Sequence, residues 1–302
     1  MNDCTGERYL ALKYGMRSAH LTPSAGLVQW LRAENAIADV AAFVEPGGAL
    51  DAECHRRGVT FYGPDLRAPL HPPVLSEGAA SLLPGQLRPA LVWEHTLDAR
   101  GEATASTVAA ARVRSREQLT YAGVQEALDA GTASESLQLL AEVGRLREVL
   151  EAERGGVSLQ IPEQEVHVVG EHWELDFRAT LPVEGWNAQI SLLTGFAAAQ
   201  VMLDGKVGVL RTLPPAPDWS IKKLRRSVRS LGVEWPKDMP YPEFVRSLSP
   251  DDPKQLAALN KCTMLFRGAG YLAFDGHVPN ENLLHAALAA PYAFATTDPN
   301  VG

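Results

Sequence analysis

Two basic segments and one aromatic turn are the parts of this 302-residue chain whose residue types and spacing could do chemistry. Arg112, Arg114 and Arg116 recur at every second position. On a strand such positions share one face, where the three guanidiniums would line a single edge and meet phosphates. The same spacing describes a solvated strand face, and the residues alone leave both readings open. Lys222, Lys223, Arg225, Arg226 and Arg229 recur at helical spacing, which is ordinary surface chemistry. Tyr62 precedes Gly63-Pro64, a pairing that would hold its ring at the end of a strand, where a nucleobase could stack for about 1 to 3 kcal/mol. Arg67 and Arg88 stand by as phosphate contacts. The competing reading of Tyr62 is a tyrosine packed into the core.

Other chemistries lack their residues. There is no Gly-rich phosphate loop, zincin helix or Gly-x-Ser-x-Gly elbow. His167 and His172 flank a turn and read as solvent-side hairpin residues, and Asp39, a lone acid in an apolar run, reads as a hydrogen-bonded structural carboxylate. Cys4, Cys54 and Cys262 lie too far apart for a zinc motif or a disulfide framework, so no metal ligands are assigned and a reducing, cytoplasmic setting is expected. The net charge of −8 excludes nucleic-acid binding through bulk charge and confines any such contact to a local basic channel. With 46% apolar residues the chain can bury a sizeable core. Its longest apolar run, Ile190 to Ala199, is interrupted by Thr194 and is too short to span a membrane, so no membrane partner is expected.

The elements that must position these residues are legible in stretches. Residues 1–35 show helix-compatible pieces but no sustained apolar period. Ala36 to Val44 reads as a buried strand closed by Pro46-Gly47-Gly48. Ala90 to Leu97 and Ala103 to Val113 read as a hairpin turning at Asp98-Ala99-Arg100-Gly101. Two helices follow, one capped by Thr120 and ended by Gly131, the other capped by Thr132 or Ser134 and stopped at Gly155-Gly156. In the second, Leu139, Val143, Leu146 and Leu150 make one apolar face. A hairpin about Gly170-Glu171, a buried helix from Trp186 to Leu203, a helix from Asp218 to Gly232 and another from Pro253 to Arg267 complete the reading. Antiparallel hairpins packed with several helices, without strand–helix–strand alternation, make an α+β fold.

The order of short motifs is more specific than any one of them. Ile37-Ala38-Asp39-Val40 is followed by Gly47-x-x-Leu50-Asp51, Arg57-Gly58-x-Thr60-x-Tyr62, Pro72-x-x-Leu75-Ser76 and Ser81-Leu82-x-Pro84. Val113-Arg114-Ser115-Arg116, leading into Leu119-x-Tyr121, closes the series. This succession resembles the RNB catalytic domain of the ribonuclease II and ribonuclease R family. Glu163-Gln164-Glu165 and Trp186-Asn187-Ala188-Gln189 look like a bacterial, actinobacterial-type branch. The resemblance divides the chain into a divergent segment 1–35, an RNB-type domain over 36–297 and a divergent tail 298–302.

What the resemblance implies is processive 3'→5' hydrolysis of single-stranded RNA to nucleoside monophosphates with Mg2+ in the site, where carboxylates would hold the metal. It gives Tyr62 the role of packing the 3'-terminal nucleotide. It also exposes departures. The family's aspartate cluster belongs just before the Ile-Ala-Asp-Val strand, and residues 1–35 hold a single aspartate, Asp3. Phe294 stands at the usual place of a histidine, and the arginine pair that follows in relatives is missing. Leu159 to Ile161 falls where relatives carry a second stacking aromatic, and Asn187 about where they carry a glutamate. No catalytic residue is therefore identifiable, and little or no magnesium-dependent turnover is expected. Two losses at abrupt boundaries point to a truncated or frame-disturbed reading frame. The alternatives are a non-catalytic RNA-binding module or a truncated fragment without function.

Overall fold

The computed structural model describes residues 9–11, 14–21, 28–63, 66–170, 172–280 and 282–295. The segment without sustained period contains strands: β1 (Tyr9–Ala11), β2 (Tyr14–Leu21) and β3 (Val28–Ala38). The helix-compatible reading of these residues is corrected, because β3 pairs along its length with neighbours on both sides. The strand expected from Ala36 to Val44 is likewise shifted. It ends at Ala38, where the Asp39 carboxylate accepts the Ala42 N–H and turns the chain into a short 3-10 helix over Val40–Ala42. Asp39 is thus the structural carboxylate its setting suggested.

Helix α1 (Ala49–Arg57) ends at Gly58, whose φ of 75° a side chain would resist. Strands β4 (Phe61–Tyr62) and β5 (Arg67–Ala68) then form a small hairpin, followed by a π-helical turn over Val74–Ala79. The long hairpin predicted from the Asp98 to Gly101 turn is present as β6 (Leu87–Leu97) and β7 (Ala103–Arg114). Together β2, β3, β6 and β7 make an antiparallel four-stranded sheet in that order. Strand β8 (Gln118–Thr120) pairs with β1.

The two expected helices are α2 (Tyr121–Asp129), whose Thr120 cap accepts the Gly123 N–H, and α3 (Glu135–Arg154), with Ser134 at its N-cap and Gly155 at φ 81° past its end. Leu139, Val143 and Leu150 of α3 are buried and Leu146 packs against the same core, as the apolar face required. Hairpin β9 (Glu163–Val169) and β10 (His172–Arg178) leads into the long helix α4 (Pro182–Gly205). Gly144 stands where α3 meets α4, and a Cβ there would lie 2.2 Å from that of Trp186, so only glycine permits the approach. The main core is the wedge between sheet and helices, where Leu31, Ala33 and Leu97 meet Val124, Leu140, Val143, Val183, Ile190 and Leu193.

Strand β11 (Val207–Thr212) follows α4. Helices α5 (Asp218–Ser230), α6 (Tyr241–Arg246) and α7 (Pro253–Cys262) then build a second apolar cluster around Leu224, Val228, Phe244 and Leu259. Strand β12 (Gly270–Asp275) returns antiparallel to β11, and β13 (Leu284–His285) pairs with β14 (Ala290–Pro291). No helix among the described residues is long and apolar enough to cross a membrane. Residues 298–302 of the expected tail lie outside the described residues. The architecture is α+β, with antiparallel hairpins packed on helices.

Candidate nucleic-acid interface

Tyr62 is carried on a hairpin braced by three hydrogen bonds. The Leu70 N–H donates to Thr60 Oγ1 at 2.9 Å, Arg57 Nη1 donates to the Pro69 carbonyl at 2.9 Å, and the Gly63 N–H donates to the Leu66 carbonyl at 2.8 Å. These bonds fix the backbone while leaving the Tyr62 side chain to water, with the residue 60% exposed. The core-tyrosine reading is excluded by that exposure. Phe61, a residue that no motif or spacing in the sequence singles out, is equally exposed. Its alternation with Tyr62 puts the two rings on opposite faces of the strand.

Arg67 is the cross-strand partner of Tyr62, so the hairpin brings those two predicted residues together. Its guanidinium pairs with Glu77 on the following π-helical turn. A phosphate approaching Arg67 would compete with that carboxylate. The ordinary exposed ion pair is worth little, so the competition is not prohibitive.

Arg112 and Arg114 lie on the edge strand β7, exposed and on one face, opposite Pro89 and Leu87 of β6. Arg116 is exposed but lies beyond the end of β7, after Ser115 forms an isolated bridge with Pro84. The expected row of three arginines on a strand is corrected to two, because the chain leaves the ladder at that bridge. Arg88 pairs with Val113 and therefore faces the other side of the sheet from Arg112 and Arg114. Its Nη2 bonds to Gln86, and its Nε is buried with no hydrogen-bond partner among the described residues. On α5, Lys222, Lys223, Arg226 and Arg229 are exposed, as ordinary surface chemistry. Arg225 instead donates to the carbonyls of Trp235, Pro236, Lys237 and Met239 and lies 4.1 Å from the Trp235 ring centre, which makes it a structural clamp.

The positions where the resemblance showed departures have structural employment. Leu159 and Ile161 pack against the helical cluster of Leu224 and Phe244. Asn187 is buried on α4 and donates from Nδ2 to the Tyr121 hydroxyl at 2.9 Å, leaving its Oδ1 buried without a partner among the described residues. That amide oxygen is neutral, and Mg2+ is held by hard, mostly anionic oxygens in octahedral array. No group of three or more His, Cys, Asp and Glu side chains among the described residues could hold a metal ion. The described donor set does not fit the magnesium that the resemblance implies.

Comparison with known proteins agrees with this architecture. Residues 35–300 match the protein family described as RNB domain. The chain is 29% identical over 270 residues to the Ribonuclease R of Escherichia coli (strain K12), covering 84% of this chain and 32% of that protein. Its fold is similar to that of Mycoplasma genitalium RNase R solved in complex with ribose-methylated single-stranded RNA. There the TM-score is 0.74 and the identity 21%, over 98% of this chain and 48% of that one. It is also similar to yeast Ssd1, described as a pseudonuclease, with a TM-score of 0.67 and 15% identity over 93% of this chain and 36% of the other. The chain spans about a third or less of the length of the curated relatives it matches.

Proposed function

This chain belongs to the RNB-domain family, and from that premise we propose that it engages the 3' end of single-stranded RNA in the cytoplasm and hydrolyses it to nucleoside monophosphates weakly or not at all. The observation that carries the RNA reading is the Tyr62 ring, held out to solvent on a braced hairpin within the Arg57-Gly58-x-Thr60-x-Tyr62 block. A planar ring fixed in that way accepts a base by stacking without regard to its identity. Arg67 beside Tyr62, and Arg112, Arg114 and Arg116 on and beyond β7, supply cations for the phosphates, with Arg88 on the opposite face of the sheet for a strand that wraps its edge, each contact adding affinity that salt weakens. The similar Mycoplasma genitalium protein is one solved with RNA.

The weak-turnover reading rests on the donor set. Phosphodiester hydrolysis at a metal centre needs carboxylates that place the ion and the attacking water. Segment 1–35 offers Asp3 as its only aspartate, and Asn187 is a neutral amide about where the family resemblance implies a glutamate. What remains for this chain's own residues is to seat the terminal base on Tyr62 and hold the backbone by arginine.

Two measurements test the halves separately. Incubated with Mg2+ and a single-stranded oligoribonucleotide, the purified protein is expected to release no detectable 5'-monophosphates, and their steady appearance would overturn the loss of turnover. Tyr62→Ala is expected to weaken oligoribonucleotide binding by about 1 to 3 kcal/mol, while Tyr62→Phe keeps most of the affinity. A wild-type chain with no measurable RNA affinity would sink the binding half.

A further inference from the structure

Arg211 and Tyr271 are direct cross-strand partners on β11 and β12. The Arg211 Cζ lies 4.4 Å from the Tyr271 ring centre, yet Tyr271 remains 51% exposed. We propose that this pair is a second nucleotide-binding element of the chain, with Arg211 taking an RNA phosphate and Tyr271 the adjacent base. The proposal rests on the RNA-binding reading above and adds a site to it.

Three observations carry it. The first is charge: Arg178 is engaged by Glu163, Glu165 and Glu184, and Arg67 by Glu77. Among the described residues no carboxylate lies within ion-pair distance of Arg211, so its planar fork is free for a phosphate. The second is rigidity. The Arg211 N–H donates to the Tyr292 carbonyl at 2.8 Å, and the neighbouring Leu213 exchanges backbone bonds with Leu284 and Ala286, so the strand beneath the pair is fixed on both sides. The third is the aromatic surrounding. Phe294 lies 6.4 Å from Tyr271 at a tilt of 45°, which leaves it unstacked on that ring, and Tyr292 meets Phe294 edge-on at 5.7 Å. Burial and the Arg211 cation lower the pKa of His285 nearby. A fixed tyrosine ring beside an unpaired guanidinium is the combination that sequence-tolerant single-strand binders use: base on ring, backbone on cation.

The pair predicts its own signature in binding to a fluorescent oligouridine. Tyr271→Leu is expected to weaken affinity about 5- to 150-fold, with Tyr271→Phe close to wild type. Arg211→Gln is expected to weaken it as well and to reduce the slope of log affinity against log salt by about 0.7, the loss of one phosphate contact on a single strand. An oligomer carrying 5-iodouridine, irradiated on the unmodified chain, is expected to crosslink to the peptide that contains Tyr271. If Tyr62→Ala weakens binding while Tyr271→Leu and Arg211→Gln bind with wild-type affinity and salt slope, this site is overturned and the RNA reading stands. If the unmodified chain binds no RNA, both fall. Should the variants fail to fold, crosslinks confined to peptides outside residues 270–275 overturn the site without them.

Discussion

Phe244→Ala is expected to lower the free energy of unfolding by about 3 to 5 kcal/mol, the range for deleting a fully buried phenyl group. Phe244 is 1% exposed on α6 and lies in the cluster formed by Leu224, Val228, Val245, Leu259 and Leu265. Its ring stacks on Trp235 at 4.1 Å with planes 5° apart, and the same indole carries the Arg225 guanidinium. Truncation therefore removes buried area, leaves a cavity and loosens the aromatic that holds the Arg225 clamp. Urea unfolding reads the loss as a lower midpoint. Phe244→Leu, which keeps much of the volume, is expected to lose far less. None of these residues belongs to the proposed RNA contacts, so affinity measured where the variant is folded should not change. A loss under about 1 kcal/mol would mean that helices α5 to α7 do not unfold with the rest of the domain.

His95 makes the chain sensitive to mild acid. It is fully buried on β6, with Nδ1 2.8 Å from Ser106 Oγ and Nε2 3.1 Å from Thr194 Oγ1. The Thr194 hydroxyl donates its one proton to the Ile190 carbonyl and accepts from Asn35 Nδ2. His95 must therefore donate to it from Nε2 and accept at Nδ1, which fixes a neutral tautomer. Burial, helped by the Arg147 cation, lowers the His95 pKa from 6.5 to about 4. The unfolded chain then takes up a proton that the folded chain refuses. The contribution is intact above pH 6.5 and is lost as the pH falls through about 4, amounting to about 3 kcal/mol in all. Unfolding free energies at pH 7.5 and 5 should differ more in the wild type than in His95→Gln. An identical pH dependence in the two chains would remove His95 as the cause.

Structure set by partners close along the chain is legible in the sequence, and structure set by distant partners is not. The β6–β7 hairpin, the Thr120 cap and the apolar face of α3 are all set by residues a few positions apart, and each is present. Only the end of β3, Ala36 to Ala38, falls in the strand the sequence suggests, although a period of two runs through the rest: Leu31, Ala33 and Asn35 are buried, Arg32 and Glu34 are not. Asn35 hid the pattern, because a polar residue on an inner face makes sense only once its partner Thr194, far along the chain on α4, is known. Arg116 follows a similar rule, since the strand that its spacing continues ends at the bridge between Ser115 and Pro84.

By itself the sequence determined the family, through motifs whose order no single periodicity could mimic, and the α+β class, through hairpins and caps written in neighbouring residues. It also placed Tyr62 in the Arg57-Gly58-x-Thr60-x-Tyr62 block. Only the tertiary structure decided that this ring is open to solvent, that Arg67 already has Glu77, that Arg88 faces away from Arg112 and Arg114, and that Arg211 meets Tyr271 with no carboxylate among the described residues in ion-pair reach. Each of these depends on strand register and on which side chain a distant element covers. Local spacing limits which faces a residue can take, but burial and charge pairing are properties of the packed chain.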